Sequence, residues 1–159
     1  MRHMLSRVFN SQRGRAGTVM LEFALGSGIL VAAFGGTFVF GYTFYQYNSL
    51  ANAVNDGARY ASLIPYTSTT ATPKQDFLQA VQNMVVYGDP AGGTVPVAPG
   101  LTTDKVQLRV TFPPTLNIPT AMTVYINGYQ IDSLFAQNKL TLNNKPQVTY
   151  PYVGIYSPY

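Results

Sequence analysis

From Phe23 to Tyr45 the chain reads FALGSGILVAAFGGTFVFGYTFY, 23 residues without a charge. As an α-helix this stretch is about 35 Å long, enough to cross a hydrocarbon core of about 30 Å. Core helices of soluble proteins rarely run so far uncharged. The stretch therefore predicts one membrane-anchoring helix over residues 21–47, with a single acid, Glu22, at its start. Gly26, Gly28, Gly35, Gly36 and Gly41 leave gaps between the Phe, Leu and Val side chains, where another helix can approach closely. The glycines keep no strict four-residue spacing, so they define no GxxxG motif. Tyr42, Tyr45 and Tyr47 stand near the outer end of the span as an aromatic belt.

The formal charge of +4 on 159 residues is unevenly placed. Residues 1–17 carry Arg2, Arg7, Arg13 and Arg15 and no acid, whereas residues 18–159 balance six Lys and Arg against six Asp and Glu. The excess belongs to a basic leader beside the membrane and not to a nucleic-acid surface. No Lys or Arg lies between Tyr47 and Ala58, so the positive-inside rule puts the N-terminus in the cytoplasm and the chain from Asn48 outside. A secretory signal peptide has a short apolar region and a small-residue cleavage site beyond it. Here the span is longer, and the small residue Gly17 lies on its cytoplasmic side. An uncleaved signal anchor is the plainest account of that layout. Glu22 needs its own explanation, because a carboxylate at the membrane edge is costly unless paired and marks a functional position. The alternative is that it sits in headgroup water and favours the positive end of the helix.

The helical pattern continues past the span. Leu50, Val54, Ala58 and Ala61 recur at helical spacing, and Pro65 closes the helix near Ile64. One helix over residues 18–64 would be about 70 Å long, its first half in lipid and its second half against a small domain. Asp56 and Arg59 are spaced to pair on its surface. After a Ser/Thr-rich loop, Thr72, Pro73 and Gln75 supply an N-cap, a first-turn proline and a capping-box partner for a helix ending near Gly88. Its apolar side is Phe77, Leu78, Val81, Met84 and Val85. Residues 89–103, DPAGGTVPVAPGLTT, form a Pro/Gly loop, either ordered against a sheet or mobile.

Val106, Leu108, Val110 and Phe112 alternate with polar residues as a half-buried strand. A second short strand is expected at Thr123–Ile126, with Asn127-Gly128 turning it back onto Tyr129–Ile131. Residues 134–142 suit either a short helix or an irregular edge. Residues 147–156 suit a last strand interrupted by Pro151 and Gly154. The sum is an α+β head over residues 65–159: three or four antiparallel strands, one further helix and the upper half of the long helix.

Little in this domain suits catalysis. His3, the only histidine, lies in the leader, and the chain has no cysteine. A histidine triad and a Cys/His zinc site are thereby excluded outside the membrane. Asp56, Asp76, Asp89, Asp104 and Asp132 are scattered, and Gly92-Gly93 lacks the Lys-Ser/Thr of a phosphate loop. No enzyme activity and no cofactor are expected. Among the 12 tyrosines, at least half are expected in core or interface positions, with residues 150–159 as an exposed sticky strip, either an adhesive tip or an assembly contact.

Arg13, Gly14, Arg15, Ala16, Gly17, then Val19, Glu22, Phe23, Ala24, Leu25, and later Gly57, Ala58, Arg59, Tyr60, Ala61 carry a resemblance. In these residues the chain resembles the TadE-like pilin-related proteins, minor pseudopilins of the tight-adherence (Flp-type) pilus within the type IV pilin superfamily. The resemblance covers residues 13–64, and at Gly28 the chain departs from the proline that the family often carries. It implies cleavage between Gly17 and Thr18 by a membrane prepilin peptidase, which places Glu22 at the fifth mature position. It further implies assembly through Glu22 and Phe23 with other pilins or pseudopilins. Gly57, Ala58, Arg59 and Tyr60 are a candidate docking stretch, against the plainer reading of Arg59 as a solvated helix residue. The partners implied are the peptidase, those other subunits, an inner-membrane assembly platform and the bilayer. The implied location is the bacterial inner membrane as a single-pass protein, then an extracellular pilus. Two other functions fit the layout: an uncleaved single-span protein with a ligand- or partner-binding outer domain, and a major subunit of a pilin-like filament.

Overall fold

The structure is a computed structural model that describes residues 2–113, 118–132 and 139–158, with side chains inside the first helix described from residue 17. Two compact units are distinguished, residues 1–41 and residues 42–159. The first helix, α1 (Arg2–Leu63), begins well before the expected Thr18. No proline interrupts residues 2–17, and Arg, Met, Leu, Gln and Ala all favour the helix, so the leader continues it. At its far end the amide of Ile64 still bonds the Tyr60 carbonyl at 3.2 Å, and Pro65 stops the ladder.

In residues 42–159, the predicted stripe is the buried face of α1: Leu50, Val54, Ala58 and Ala61 are wholly covered. A second helix, α2 (Gln75–Tyr87), sets Phe77, Val81, Val85 and Val86 into the same core. It starts two residues later than expected. Lys74 is the N-cap, in extended conformation without a side-chain cap, because the Thr72 carbonyl is held in the preceding loop by Ser68 Oγ at 2.7 Å. Its other end is the expected one. Gly88 takes the left-handed conformation (φ 73°) and its amide bonds the Met84 carbonyl.

Three antiparallel strands complete the core in the order β1 (Val106–Thr111), β2 (Ala121–Asp132), β3 (Lys139–Pro151). Asn127-Gly128 is not a hairpin turn. It lies inside the twelve-residue β2, where the pairing with β3 shifts register on either side of Asn127 and Gly128 has φ 71°. This irregularity adds a residue between two inward positions. Met122, Val124 and Ile126 are buried before it, and Tyr129 and Ile131 after it, so one strand keeps both apolar sets on one face. The ambiguous stretch divides: Lys139–Leu142 opens β3, and residues 134–138 lie outside the described residues. The last strand runs earlier than expected and stops at Pro151.

The Pro/Gly loop is ordered. The Val97 amide bonds the Val86 carbonyl at 2.8 Å, the Tyr129 hydroxyl donates to the Pro99 carbonyl at 2.7 Å, and Ala98 and Leu101 are buried.

In the C-terminal strip the tyrosines at 150, 152 and 156 are half-buried and not displayed. Tyr150 is half-buried and donates to Asn55 Oδ1 of α1 at 2.9 Å. Tyr152 receives the Tyr66 amide at 2.8 Å and has the Ile155 carbonyl at 2.8 Å as acceptor. Tyr66 is wholly buried, edge-on to Phe77 at 5.1 Å and within 6.4 Å of the Tyr152 ring. Phenol hydroxyls satisfy the backbone where helix α1 ends, so the rings turn inward. The exposed members of this segment among the described residues are Pro151, Val153, Ile155 and Pro158. Tyr159 lies outside the described residues.

Two outcomes follow from this aromatic knot. Tyr152→Phe deletes a shared hydroxyl and should lower head stability by about 1–2 kcal/mol, read as a lower denaturation midpoint and faster amide exchange at Tyr66. Burial also raises the phenol pKa of Tyr66, Tyr129 and Tyr152 above 10.0. The folded state therefore holds these protons more tightly than the unfolded chain does. Stability from this source is intact below about pH 10 and falls as pH rises past that value. Tyrosinate absorbance should show a late phase for these three, coincident with unfolding. If all tyrosines titrate together while the fold persists, the three are not shielded.

Candidate functional site

The junction residues are built on one turn of α1. Thr18 and Glu22 are four apart and therefore neighbours on one helix face. Gly17, Thr18 and Glu22 are exposed, and Phe23 beside them is 76% exposed. Beyond them Leu25, Ile29, Leu30, Val31, Phe34, Phe38 and Phe40 are all exposed. From Gly17 to Leu63 the helix contains an 18-residue window of mean hydropathy 1.9, none of it buried within the chain. It is long and apolar enough to cross a membrane. Two hydroxyls inside the uncharged part of this stretch are satisfied locally: Ser27 donates to the Ala24 carbonyl at 3.0 Å and Thr37 to the Ala33 carbonyl at 2.9 Å. That is what a bilayer interior demands of hydroxyl groups. A methyl group added at Gly26, Gly28, Gly35, Gly36 or Gly41 would touch nothing, so their gaps face outward from this chain.

The second group of sequence candidates lies in the other compact unit and splits in two. Gly57 and Ala58 point inward. Ala58 is wholly buried, and a β-carbon at Gly57 would overlap Cγ2 of Val85, so α1 packs closely on α2 at Gly57. Arg59 is exposed and Tyr60 half-buried. These two line a surface cavity of about 260 Å³ with Asp56, Leu63 and Met84. The Asp56–Arg59 pair expected from spacing does not form: the ion pairs among the described residues are Lys105–Asp104 and Lys139–Asp132, each at 3.2 Å.

Sequence reasoning missed Leu63 and Met84 as members of this group. Leu63 was within reach, since residues 56, 59, 60 and 63 follow helical spacing. Met84 was not, because only the approach of α2 at Gly57 brings it near. A second cavity of about 360 Å³ has Lys105, Gly128, Tyr129, Asp132 and Lys139 in its wall, with each lysine beside its own aspartate. Among the described residues no three His, Cys, Asp or Glu side chains gather to hold a metal ion.

No curated protein and no solved structure matches the chain. The family model described as TadE-like protein matches residues 17–59, from the small residue at the leader boundary, through the apolar helix, to Arg59. Across that stretch the chain is similar to TadE-like proteins, and the same stretch holds the helix that is long and apolar enough to cross a membrane.

Proposed function

We propose that the chain is a minor pilin or pseudopilin of a tight-adherence pilus. The observation that carries this reading is the exposed apolar helix, headed by Glu22 and continuous in sequence with the stripe that packs the head. The match to TadE-like proteins starting at Gly17 supports it. A prepilin peptidase cuts between Gly17 and Thr18 on the cytoplasmic side, removing the four leader arginines. The new Thr18 amine of one subunit then meets the Glu22 carboxylate of its neighbour. Low dielectric strengthens that pair, and its geometry sets the stagger between helices. Assembly moves the helix from lipid into a bundle of like helices, where glycine gaps permit close packing. The role is structural and calls for no catalytic group.

Fractionation of cells with and without the candidate peptidase tests this. With the peptidase, the chain should lose residues 1–17 and reach the fraction sheared from the cell surface. Without it, the chain should stay in the membrane at full mass. Full-length protein in the sheared fraction of peptidase-free cells contradicts the reading.

A further inference from the structure

The one Asn-Gly pair of the chain, Asn127-Gly128, lies where β2 breaks its register against β3. We propose that Asn127 is a site of spontaneous covalent modification, converted through a cyclic imide into aspartate and isoaspartate. Nothing in this step depends on the membrane helix or on leader cleavage.

The reaction is an intramolecular displacement. The backbone nitrogen of Gly128 gives up its proton to solvent and attacks Cγ of Asn127. The new C–N bond closes a succinimide ring, and the side-chain nitrogen of Asn127 takes up a proton and leaves as ammonia. One water then opens the ring at either carbonyl. Opening at one returns ordinary aspartate, and opening at the other gives isoaspartate, whose main chain runs through Cβ and Cγ. Water is the only co-reactant, and nothing is oxidised or reduced.

The fold leaves this peptide unusually accessible to that chemistry. In a regular strand the ladder holds the amide that must attack. Pairing of β2 with β1 ends at Ile126 opposite Val106, and pairing with β3 passes from Asn127 opposite Asn143 to Tyr129 opposite Leu142. Gly128 is therefore the residue without a partner on either strand. Asn127 is exposed, and its side-chain amide bonds none of the described residues, so it can turn toward the main chain. Gly128 has no side chain to shield its nitrogen, and a β-carbon there would meet only Lys105, at 3.9 Å. Asp56-Gly57 offers the same bare nucleophile and supplies the contrast. Gly57 lies inside α1 and is packed against Val85, so no ring should close there.

The two products act differently on the head. Aspartate adds a negative charge beside the cavity that Gly128 and Lys105 line. Isoaspartate adds a main-chain carbon between the inward sets Met122, Val124, Ile126 and Tyr129, Ile131, and so shifts the phase that keeps both on one face.

The test ages the detergent-solubilised full chain at neutral pH, beside the same chain unfolded in guanidinium chloride, and follows its peptides by mass spectrometry. The peptide holding Asn127 should become heavier by about 1 Da. Its rate in the folded chain should lie within about tenfold of the unfolded rate, whereas a site released only by global unfolding would be slowed on the order of a thousandfold or more. Asn127→Ser should abolish the change at this position and leave thermal unfolding unaltered. Aged protein should also gain a lower-melting fraction that the Asn127→Asp variant lacks.

Folded-state conversion more than about tenfold slower than unfolded overturns the proposal, because the strand then protects the pair. An equal rate at Asn143 or Asn144, exposed residues of β3 without a following glycine, overturns it as well. Aged protein that melts as the Asn127→Asp variant does would show that isoaspartate does not enter β2, and overturns that half of the claim. An uncleaved leader would defeat the pilin reading and leave all of these results unchanged.

Discussion

Glu22→Ala should leave leader cleavage unimpaired and reduce incorporation into the pilus by about a hundredfold. Removing one partner of a buried ion pair leaves the other charge uncompensated, and losses of that size are typical. In the proposed account the peptidase cut depends on the leader boundary at Gly17, five residues upstream, which the substitution does not alter. Glu22→Gln separates charge from polarity, because it keeps a hydrogen-bond acceptor but cannot neutralise the Thr18 amine. It should fail nearly as badly. The measurement is recovery of the chain with the pilus machinery in a pull-down, alongside its mass. Normal recovery of the Ala variant would mean that Glu22 merely sits in headgroup water at the positive end of its helix.

The second large effect is expected at Gly57. Gly57→Ala puts a methyl group into Cγ2 of Val85, and Val85 is wholly buried. A valine within a helix has one strongly preferred rotamer, so it cannot swing aside, and the two helices must separate. The cost should be about 2 kcal/mol, a fall of roughly 10 °C in the melting temperature of the head. Alanine would otherwise raise helix propensity at this position, so loss of stability isolates the packing term. Val85→Ala alone should also destabilise, by leaving a cavity, yet combined with Gly57→Ala it should recover much of the loss. Near-ultraviolet circular dichroism of the detergent-solubilised full chain follows this. If the two substitutions add without recovery, the helices do not meet at these residues.

Gly57 also marks the boundary of what sequence alone could reveal. The stripe Leu50, Val54, Ala58, Ala61, the apolar face of α2 and the alternation of β1 were all legible, because each obeys the period of a single element. Asn127-Gly128 was misread because a glycine with positive φ serves a turn and a strand irregularity equally well. The clue was in the neighbours: the apolar positions change phase, from Met122, Val124 and Ile126 to Tyr129 and Ile131. A phase change without reversal calls for an inserted residue. The late start of α2 was hidden for a different reason. Thr72 has the chemistry of a cap, but its carbonyl is already engaged by Ser68 in the loop.

The candidate site was legible to the same degree. Glu22 stood out because nothing else in the apolar stretch carries charge, and Arg59 because it falls within the Gly57–Ala61 stretch that carries the resemblance. At least half of the twelve tyrosines were expected in the core or at interfaces, yet which of them bond backbone carbonyls near the end of α1 depends on where that helix meets the last residues of the chain. The partition of Gly57-Ala58-Arg59-Tyr60 into an inward and an outward half depends likewise on the position of α2. Both are tertiary facts that no local pattern encodes.

The most direct measurement is N-terminal sequencing of the chain recovered from sheared surface filaments. The account predicts a start at Thr18, which puts a free amine one helical turn from Glu22. A start at Met1 in protein already built into a filament would contradict it.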